Sequence, residues 1–113
     1  MEGESRSPDA TEAPPDEEPV VCAACQSPVT HTREAILVNG EHQHVCANPA
    51  GIMFVVRCFR VAHTQVIGFP SSAATWFPGH AWQIALCTGC RAHLGWLFTG
   101  ASEFYGLIAA NIR

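Results

Sequence analysis

Residues 76–98 read WFPGHAWQIALCTGCRAHLGWLF, and the pair Cys87-x-x-Cys90 stands in the middle of this stretch. A second pair, Cys22-x-x-Cys25, stands far upstream. One such pair is also typical of a redox dithiol, but two in so short a chain favour a metal. Four thiolates complete the tetrahedral shell of zinc, at Zn–S distances of about 2.3 Å and with no open position for catalysis. The sequence therefore predicts one structural zinc ion on Cys22, Cys25, Cys87 and Cys90, which fastens the start of the domain to its later part.

The first 19 residues differ in composition from the rest of the chain. They hold seven acids, four prolines and no aromatic residue, so they cannot bury enough apolar surface to offset the entropy of ordering. We expect residues 1–19 to be a disordered acidic, proline-rich tail and residues 20–113 to be one small domain. The tail has neither a secretory nor a transit pattern, and no apolar run reaches the length of a membrane span. We therefore expect a cytoplasmic protein with reduced cysteines and no membrane partner.

The charge of the folded part argues against a nucleic-acid partner. The whole chain has a formal net charge of −4, yet residues 20–113 hold three acids and five arginines, and lysine is absent throughout. Nucleic-acid-binding domains normally cluster Lys and Arg on one face. No such cluster is visible in this sequence.

Short apolar runs separated by turn signals cover the domain and predict an all-β, antiparallel fold. Asn39-Gly40 is a strong tight-turn signal, and Asn48-Pro49-Ala50-Gly51 predicts a second turn. The predicted strands are 36–38, 42–46, 52–56 continuing towards 59, 66–68, 82–86, 94–99 and 104–108.

The three tryptophans, Trp76, Trp82 and Trp96, flank the second cysteine pair. They could simply be core, but three indoles of roughly 150–250 Å² each would crowd a domain of this size. Gly79 and Gly95 leave room beside the rings, which indicates a concave aromatic cage. Such cages commonly hold ammonium groups, often with help from a carboxylate. No Asp or Glu occurs between residues 48 and 102, so a compact neutral ring is the better ligand, with its polar edge met by the backbone of residues 73–75.

Taken together, these residues resemble the thalidomide-binding (CULT) domain of the cereblon family, and most closely its small stand-alone bacterial members. The resemblance covers roughly residues 21–108 and lies in the following landmarks: Cys22-x-x-Cys25, Asn48-Pro49-x-Gly51, Ile67-Gly68-x-Pro70-Ser71, Trp76-Phe77-Pro78-Gly79-x-Ala81-Trp82, Cys87-x-x-Cys90, His93-x-Gly95-Trp96-x-Phe98 and Phe104-x-Gly106-Leu107.

The resemblance implies a β-tent, in which two antiparallel sheets set at about right angles are pinned by a structural zinc. It implies a ligand-binding pocket for cyclic imides of the glutarimide or thalidomide type. Uridine-like rings and the C-terminal cyclic imides of damaged proteins are further ligands that it implies. It implies that three tryptophans form the walls of this pocket (Trp76, Trp82, Trp96), with Phe98 at its base and Asn48 and Pro49 at its rim. It also implies that backbone groups of Ala74 and Trp76 bond to the imide.

Two departures from the family pattern limit what carries over. The animal proteins have His at the positions of Ala74 and Ala50, which leaves a backbone contact at Ala74 possible and puts contacts of Ala50 with larger ligands in doubt. The Lon-like domain and the ligase-docking segment are absent from this sequence, so we expect no ubiquitin-ligase adaptor role. We expect a monomeric, non-enzymatic binding domain.

Three alternatives remain open at this point. The first is an enzyme similar to methionine sulfoxide reductases, which would need Cys46 or Cys58 as an exposed thiolate of low pKa. The second is a further metal site formed by His42, His44 and Cys46 on one side of a strand. The third is a zinc-stabilised protein-interaction module with no small ligand.

Overall fold

A computed structural model describes residues 18–113. Most of the expected disordered tail, residues 1–17, lies outside the described residues. At Glu18 the backbone N–H donates to Thr32 Oγ1 at 2.9 Å, and the carbonyl accepts from the Thr32 N–H at 2.9 Å. Regular structure therefore starts slightly before the expected boundary at residue 20.

The described residues form eight strands and no α-helix. The strands are β1 (Pro19–Val21), β2 (Pro28–His31), β3 (Gln43–Ala47), β4 (Met53–Phe59), β5 (Gln65–Ser71), β6 (His80–Leu86), β7 (His93–Gly100) and β8 (Glu103–Ile108). Short 3₁₀ turns occupy Thr32–Glu34 and Ala109–Asn111. Every strand pair is antiparallel, which confirms the predicted fold class.

The strands form two antiparallel sheets. Strands β1 and β2 make a two-stranded sheet, and the other six make one sheet in the order β3-β4-β8-β7-β6-β5. The long sheet therefore has β3 and β5 as its edges. Among the described residues, no helix has the length and apolar character needed to cross a membrane.

Most of the predicted strands appear within a residue or two of their expected bounds, but the strand at 36–38 is wrong. Only Val38 forms a bridge, with Glu41 across the tight turn, where Asn39 has φ 53° and Gly40 has φ 85°. Ile36 and Val38 are half-buried against the aromatic core instead. The predicted turn itself is confirmed, because these two positive φ angles are what a two-residue hairpin turn requires.

The hairpin β1–β2 was not anticipated, and it is closed by the end of the chain. Val21 and Arg113 exchange backbone hydrogen bonds at 3.1 and 2.8 Å, and the Ala23 N–H donates to the Asn111 carbonyl at 3.0 Å. Ile112 is buried there. Strands this short carry little periodic signal, so only the pairing with distant residues makes them regular.

Two cores lie on opposite faces of the six-stranded sheet, because side chains alternate along each strand. Phe59 and Leu107 belong to the core beneath the two-stranded sheet, with Val20, Cys22 and Val29. Their neighbours Cys58 and Ile108 belong to the aromatic core, which also holds Trp96, Phe98, Phe104 and Phe77. The candidate ligand site lies in this aromatic core.

Candidate functional site: a four-cysteine group and an aromatic cavity

The two Cys-x-x-Cys pairs meet, as the sequence predicts. The Sγ atoms of Cys22, Cys25, Cys87 and Cys90 all lie within 4.8 Å of one another. Cys22 Sγ is 3.7 Å from Cys90 Sγ, and Cys25 Sγ is 3.6 Å from Cys87 Sγ. Sulfurs at about 2.3 Å from a tetrahedral ion would lie about 3.8 Å apart. The group therefore has the dimensions to hold a metal ion.

The two pairs are built as matching turns. In the first, the Gln26 N–H donates to the Cys22 carbonyl at 2.8 Å, and Gln26 has φ 67°. In the second, the Arg91 N–H donates to the Cys87 carbonyl at 2.9 Å, and Arg91 has φ 66°. Each left-handed residue bends the chain back, so that both sulfurs of its pair point the same way.

The electrostatics of the group favour a bound cation. Hydrogen bonds from the Ser27 hydroxyl and backbone lower the pKa of Cys25 to about 6. The Ala92 backbone lowers the pKa of Cys90, but desolvation and the three neighbouring thiols outweigh it and raise that pKa to about 12. Four thiolates so close together repel one another. They can all be ionised only with a positive ion between them.

An apolar cavity of about 360 Å³ opens beside the aromatic core. It is lined by Asn48, Pro49, Phe54, Ala73, Ala74, Trp76, Trp82, Ile84, His93, Trp96 and Phe98. This set includes every residue expected to bind ligand, namely Trp76, Trp82, Trp96, Phe98, Asn48, Pro49 and Ala74. The structure thus brings these residues together around a vacant volume, and their role in binding remains a prediction.

Strand register places one wall of the cavity. Trp82 on β6 pairs with Phe98 on β7, and Ile84 pairs with Trp96. Residues that pair directly across two strands have side chains on the same face of the sheet. Trp82, Ile84, Trp96 and Phe98 therefore form a continuous apolar surface.

The opposite wall is Trp76, which lies in the loop between β5 and β6. Its ring meets Trp96 edge to face, with centroids 4.7 Å apart, and meets Phe54 at 5.9 Å. Its indole Nε1–H donates to the Ala47 carbonyl at 2.8 Å, and the Trp82 Nε1–H donates to the Ala73 carbonyl at 2.9 Å. Both indole N–H groups are thus bonded to backbone carbonyls, so these two rings line the cavity without a free side-chain donor.

The loop before Trp76 offers free backbone groups. Ala74 has φ 52°, a left-handed conformation that is costly for a residue with a Cβ and is often found at ligand sites. The Thr75 N–H donates to the Ser72 carbonyl at 3.3 Å, and the Ala73 N–H donates to Ser71 Oγ at 3.2 Å. Among the hydrogen bonds of the described residues, neither the Ala74 carbonyl nor the Trp76 backbone N–H has a partner.

Three lining residues were missed by the sequence reasoning: Phe54, Ile84 and His93. Alternation could have found the first two, since Phe54 shares a face with Val56, and Ile84 shares one with Trp82. His93 could not be found that way. It stands one residue before Leu94, where β7 shifts register against Ala85 and Leu86. The shift turns Leu94 into the opposite core and brings the His93 ring to 4.8 Å from the Trp96 ring.

His93 is therefore a wall of the cavity. Its Nε2 lies 3.0 Å from the Gly95 carbonyl, so this nitrogen carries the proton. Burial lowers the pKa of His93, and the bond to Gly95 opposes this only in part. The imidazole is neutral at pH 7, and no lining side chain carries a charge.

The expected reason for Gly79 and Gly95 is wrong. A Cβ on Gly95 would collide with the Gly106 carbonyl and would lie 2.9 Å from Leu107 Cα. A Cβ on Gly79 would meet Ala101. Gly95 therefore permits close approach of the β8 backbone, Gly79 has φ 84°, which favours glycine at this turn, and neither lines the cavity.

Cys46 and Cys58 do not have the properties that a reductase-like enzyme needs. Cys58 is fully buried and Cys46 is half-buried. Burial raises the pKa of Cys46. Burial, and to a smaller extent electrostatic repulsion from Cys46, raises the pKa of Cys58 to about 12. Neither thiol is an exposed thiolate at neutral pH.

The structure does not assemble the second metal site considered for His42, His44 and Cys46. His42 Nε2 accepts from Arg57 Nε at 3.2 Å, and its Nδ1 lies 3.2 Å from the Ile36 carbonyl. His44 Nε2 lies 3.1 Å from the Glu41 carbonyl. Within residues 18–113, the one cluster with metal-binding geometry is the four-cysteine group.

Comparison with known proteins gives the family. No family model matches the chain. The chain is 30% identical over 109 residues to Protein cereblon of Drosophila erecta. This alignment covers 87% of the chain and 18% of that protein. The chain is 30% identical over 95 residues to Protein cereblon of Danio rerio (76% and 22%) and 36% identical over 73 residues to that of Xenopus tropicalis (58% and 16%). The chain thus spans about a fifth of the length of these relatives. Since the fold, the cysteine group and the aromatic cluster agree with this match, the chain belongs to the cereblon family, as a domain of the cereblon (CULT) type.

Proposed function

We propose that this domain binds small cyclic imides of the glutarimide type in the tryptophan cavity. The observation that carries the proposal is the 360 Å³ cavity between three indoles. This volume is near the lower end of the range for ligand pockets, roughly 300–1,000 Å³, and suits a single ring with a short substituent. Burial of that ring between indole faces would supply most of the affinity.

The free backbone groups of the loop supply the selectivity. A cyclic imide presents a carbonyl, an N–H and a second carbonyl along one edge. The Ala74 carbonyl can accept from the imide N–H, and the Trp76 backbone N–H can donate to an imide carbonyl. A ring that lacks this pattern would bury the Ala74 carbonyl and the Trp76 N–H without partners. Unpaired buried polar groups cost free energy, so such a ring should bind poorly. Uridine-like rings carry the same edge and belong to the proposed ligand class.

The charge of the cavity favours a neutral ligand. Aromatic cages that hold cations commonly gain from a nearby carboxylate, and none lines this cavity. His93 is neutral at pH 7. A protein whose C-terminal residue has cyclised to an imide would present the same neutral group, and such damaged protein ends are the natural ligand class that we propose.

The metal in this proposal is zinc. All four donors are sulfurs, and a closed four-sulfur shell suits a structural zinc ion. Cys22, Cys25, Cys87 and Cys90 would hold it, and the ion would fix the turn between β6 and β7, the strands that carry Trp82 and Trp96. The proposed role is structural, and we propose no catalysis for this domain.

The cellular context is also a proposal. Six free cysteines fit a reducing compartment, and we place the protein in the cytoplasm. We assign residues 20–113, together with Pro19 at the start of β1, to the binding domain, and the acidic segment before them to a separate tail.

Titration of tryptophan fluorescence tests the proposal. Glutarimide should quench the signal in a saturable way, and N-methylglutarimide, which cannot donate a proton to Ala74, should not. Uracil provides a second ligand with the same polar edge. If neither imide changes the fluorescence and calorimetry detects no heat of binding, the domain is an interaction module without a small-molecule site.

A further inference from the structure

Strand β3 presents an open edge of the six-stranded sheet beside the cavity. It is the first strand in the sheet order, and β4 is its only strand partner among the described residues. Gln43, Val45 and Ala47 are exposed, with Val45 at 65%. An edge of this kind carries backbone groups that another chain can pair with.

The register shows which backbone groups are free. The Asn48 N–H donates to the Ile52 carbonyl, and the Cys58 N–H donates to the His42 carbonyl, both at 2.9 Å. Antiparallel pairs alternate between bonded and non-bonded positions, so the even-numbered residues of β3 bond to β4. The N–H and C=O groups of Gln43 and Val45 therefore point away from β4, and no hydrogen bond of the described residues uses them.

The other edge of the same sheet is protected, and β3 is not. On β5, residues 68–70 bulge out between Ile67 and Ser71, and Pro70 lacks a backbone donor. Bulges and prolines are the usual devices that block strand addition at an edge. Strand β3 has a regular five-residue register and contains neither device.

Exposed apolar side chains flank this open edge. Val45 pairs with Val55, and Ala47 pairs with Met53, so these four residues share the outer face of the hairpin. Val55 is 38% and Met53 is 60% exposed. An added strand would therefore gain apolar contacts as well as backbone hydrogen bonds.

The open edge leads into the cavity. The outward carbonyl of Ala47, the next odd-numbered residue after Val45, accepts the Trp76 indole N–H. Asn48 and Pro49, which follow directly, line the cavity. A chain paired with β3 in the same direction would therefore end at the cavity.

From this geometry we propose that the domain takes its ligand as the end of an extended polypeptide, which adds as a strand along Gln43–Ala47 and places its C-terminal cyclic imide between the tryptophans. The pairing is parallel to β3, because the imide is at the C-terminus of the guest and the cavity is at the C-terminal end of β3. Backbone pairing is independent of guest sequence, which suits a receptor for many different protein ends. This inference rests on the proposed imide binding.

The test compares free glutarimide with a six-residue peptide that ends in a C-terminal glutarimide, by calorimetry on the full chain. The peptide should bind wild type at least about tenfold more tightly, which is the effect of one or two net backbone hydrogen bonds. Val45→Pro removes an outward N–H that β4 does not use, and it should abolish this gain while leaving free glutarimide binding unchanged. Val45→Thr, which keeps the N–H, should retain the gain.

A second comparison uses wild-type protein alone, so it holds even if Val45→Pro fails to fold. Alternate amides of a strand point to opposite sides, so N-methylation at odd or at even peptide positions should have unequal effects. One methylated peptide should lose the tenfold gain and the other should keep it. If the two methylated peptides bind with equal affinity, or if the unmodified peptide binds no more tightly than free glutarimide, strand addition is overturned while imide binding stands.

Two other outcomes also decide the matter. If free glutarimide and the peptide both fail to bind, the proposed function fails, and strand addition fails with it. If sedimentation shows a wild-type dimer that Val45→Pro dissociates, the β3 edge pairs with a second copy of this chain, and the proposal is overturned.

Discussion

The indole N–H of Trp76 donates to the carbonyl of Ala47 at 2.8 Å, which joins a cavity wall to the end of β3. Trp76 lies in the loop between β5 and β6, whereas Ala47 lies near the opposite edge of the sheet. A bond between such distant segments brings Asn48 and Pro49 to the rim of the cavity. The first prediction below depends on this closure.

Trp76→Phe should loosen the turn at residues 48–51 while keeping an aromatic wall. The Ala47 carbonyl loses its donor, and a net loss of about 1 kcal/mol is expected for one hydrogen bond. Hydrogen exchange at the Asn48 and Gly51 amides should accelerate, and glutarimide should bind several-fold more weakly. Trp82→Phe is the control, since its indole bonds to Ala73 and should leave exchange in this turn unchanged. Equal exchange in both variants would show that the Trp76 bond does not hold the turn.

Removal of the metal should unfold the domain. Structural zinc contributes on the order of 10 kcal/mol in comparable small domains, which exceeds the stability left to a core of this size. A chelator, or the substitution Cys22→Ser, should therefore abolish near-ultraviolet circular dichroism, and native mass spectrometry should find one zinc per untreated chain. Cys46→Ala, outside the group, should keep the ion. A folded, ligand-binding protein after complete chelation would contradict the structural role.

His93 should make the domain less stable as the pH falls. Its pKa in the folded state lies below the ordinary value of about 6.5, so the unfolded chain takes up the proton first. Stability is therefore full above pH 6.5 and decreases as the pH falls from there towards the folded-state pKa. Urea denaturation at pH 7.5 and 6.0 measures this, with His93→Gln as the reference that cancels other titrating groups. An imidazole NMR titration with a midpoint above 6.5 would refute it.

The Cys58 thiol should resist alkylation in the native protein. Its side chain is fully buried, and its pKa is raised to about 12, so the thiolate is scarce at pH 8. Iodoacetamide with zinc present should leave Cys58 unmodified over hours, and it should label Cys46 only slowly. Denatured protein provides the control for full labelling. Rapid native labelling of either thiol would revive the reductase-like alternative.

Gly95→Ala should be strongly destabilising because β8 occupies the space that a side chain needs. The added Cβ would collide with the Gly106 carbonyl, and backbone cannot move as a side-chain tip can. We expect a loss of about 3 kcal/mol in urea denaturation, at the upper end for overpacking. Gly40→Ala is the matched control: φ is 85° but nothing lies within 4 Å of the added atom, so only a strain of about 1 kcal/mol is expected.

Several features could be predicted from residue type and short-range spacing in the sequence. Asn39-Gly40 specifies its turn because both residues tolerate positive φ. Trp96 and Phe98 share a face because they stand two apart on a strand. The cysteine spacing indicated a four-sulfur group, and the resemblance to the cereblon family supplied the roles expected of Trp76, Trp82 and Ala74. The alternation of side chains along their strands also predicts that Phe54 and Ile84 face the site, although neither was among the expected ligand-binding residues.

Features that depend on pairing between distant strands could not be predicted from the sequence. The face that His93 takes follows from the register shift opposite Ala85 and Leu86, and the reason for Gly95 is the backbone of β8. Hairpin β1–β2 is regular because the last residues of the chain bond to Val21. The open edge at Val45 exists because no described strand lies beyond β3.

The sequence by itself therefore determined the antiparallel β class, the convergence of four cysteines and the aromatic character of the site, since these follow from residue type and short spacing. Only the tertiary structure decided that the indoles enclose a vacant volume and that β3 is left unpaired beside it. The physical reason is that cavities and sheet edges arise from the order in which strands associate, and that order is a property of the whole chain.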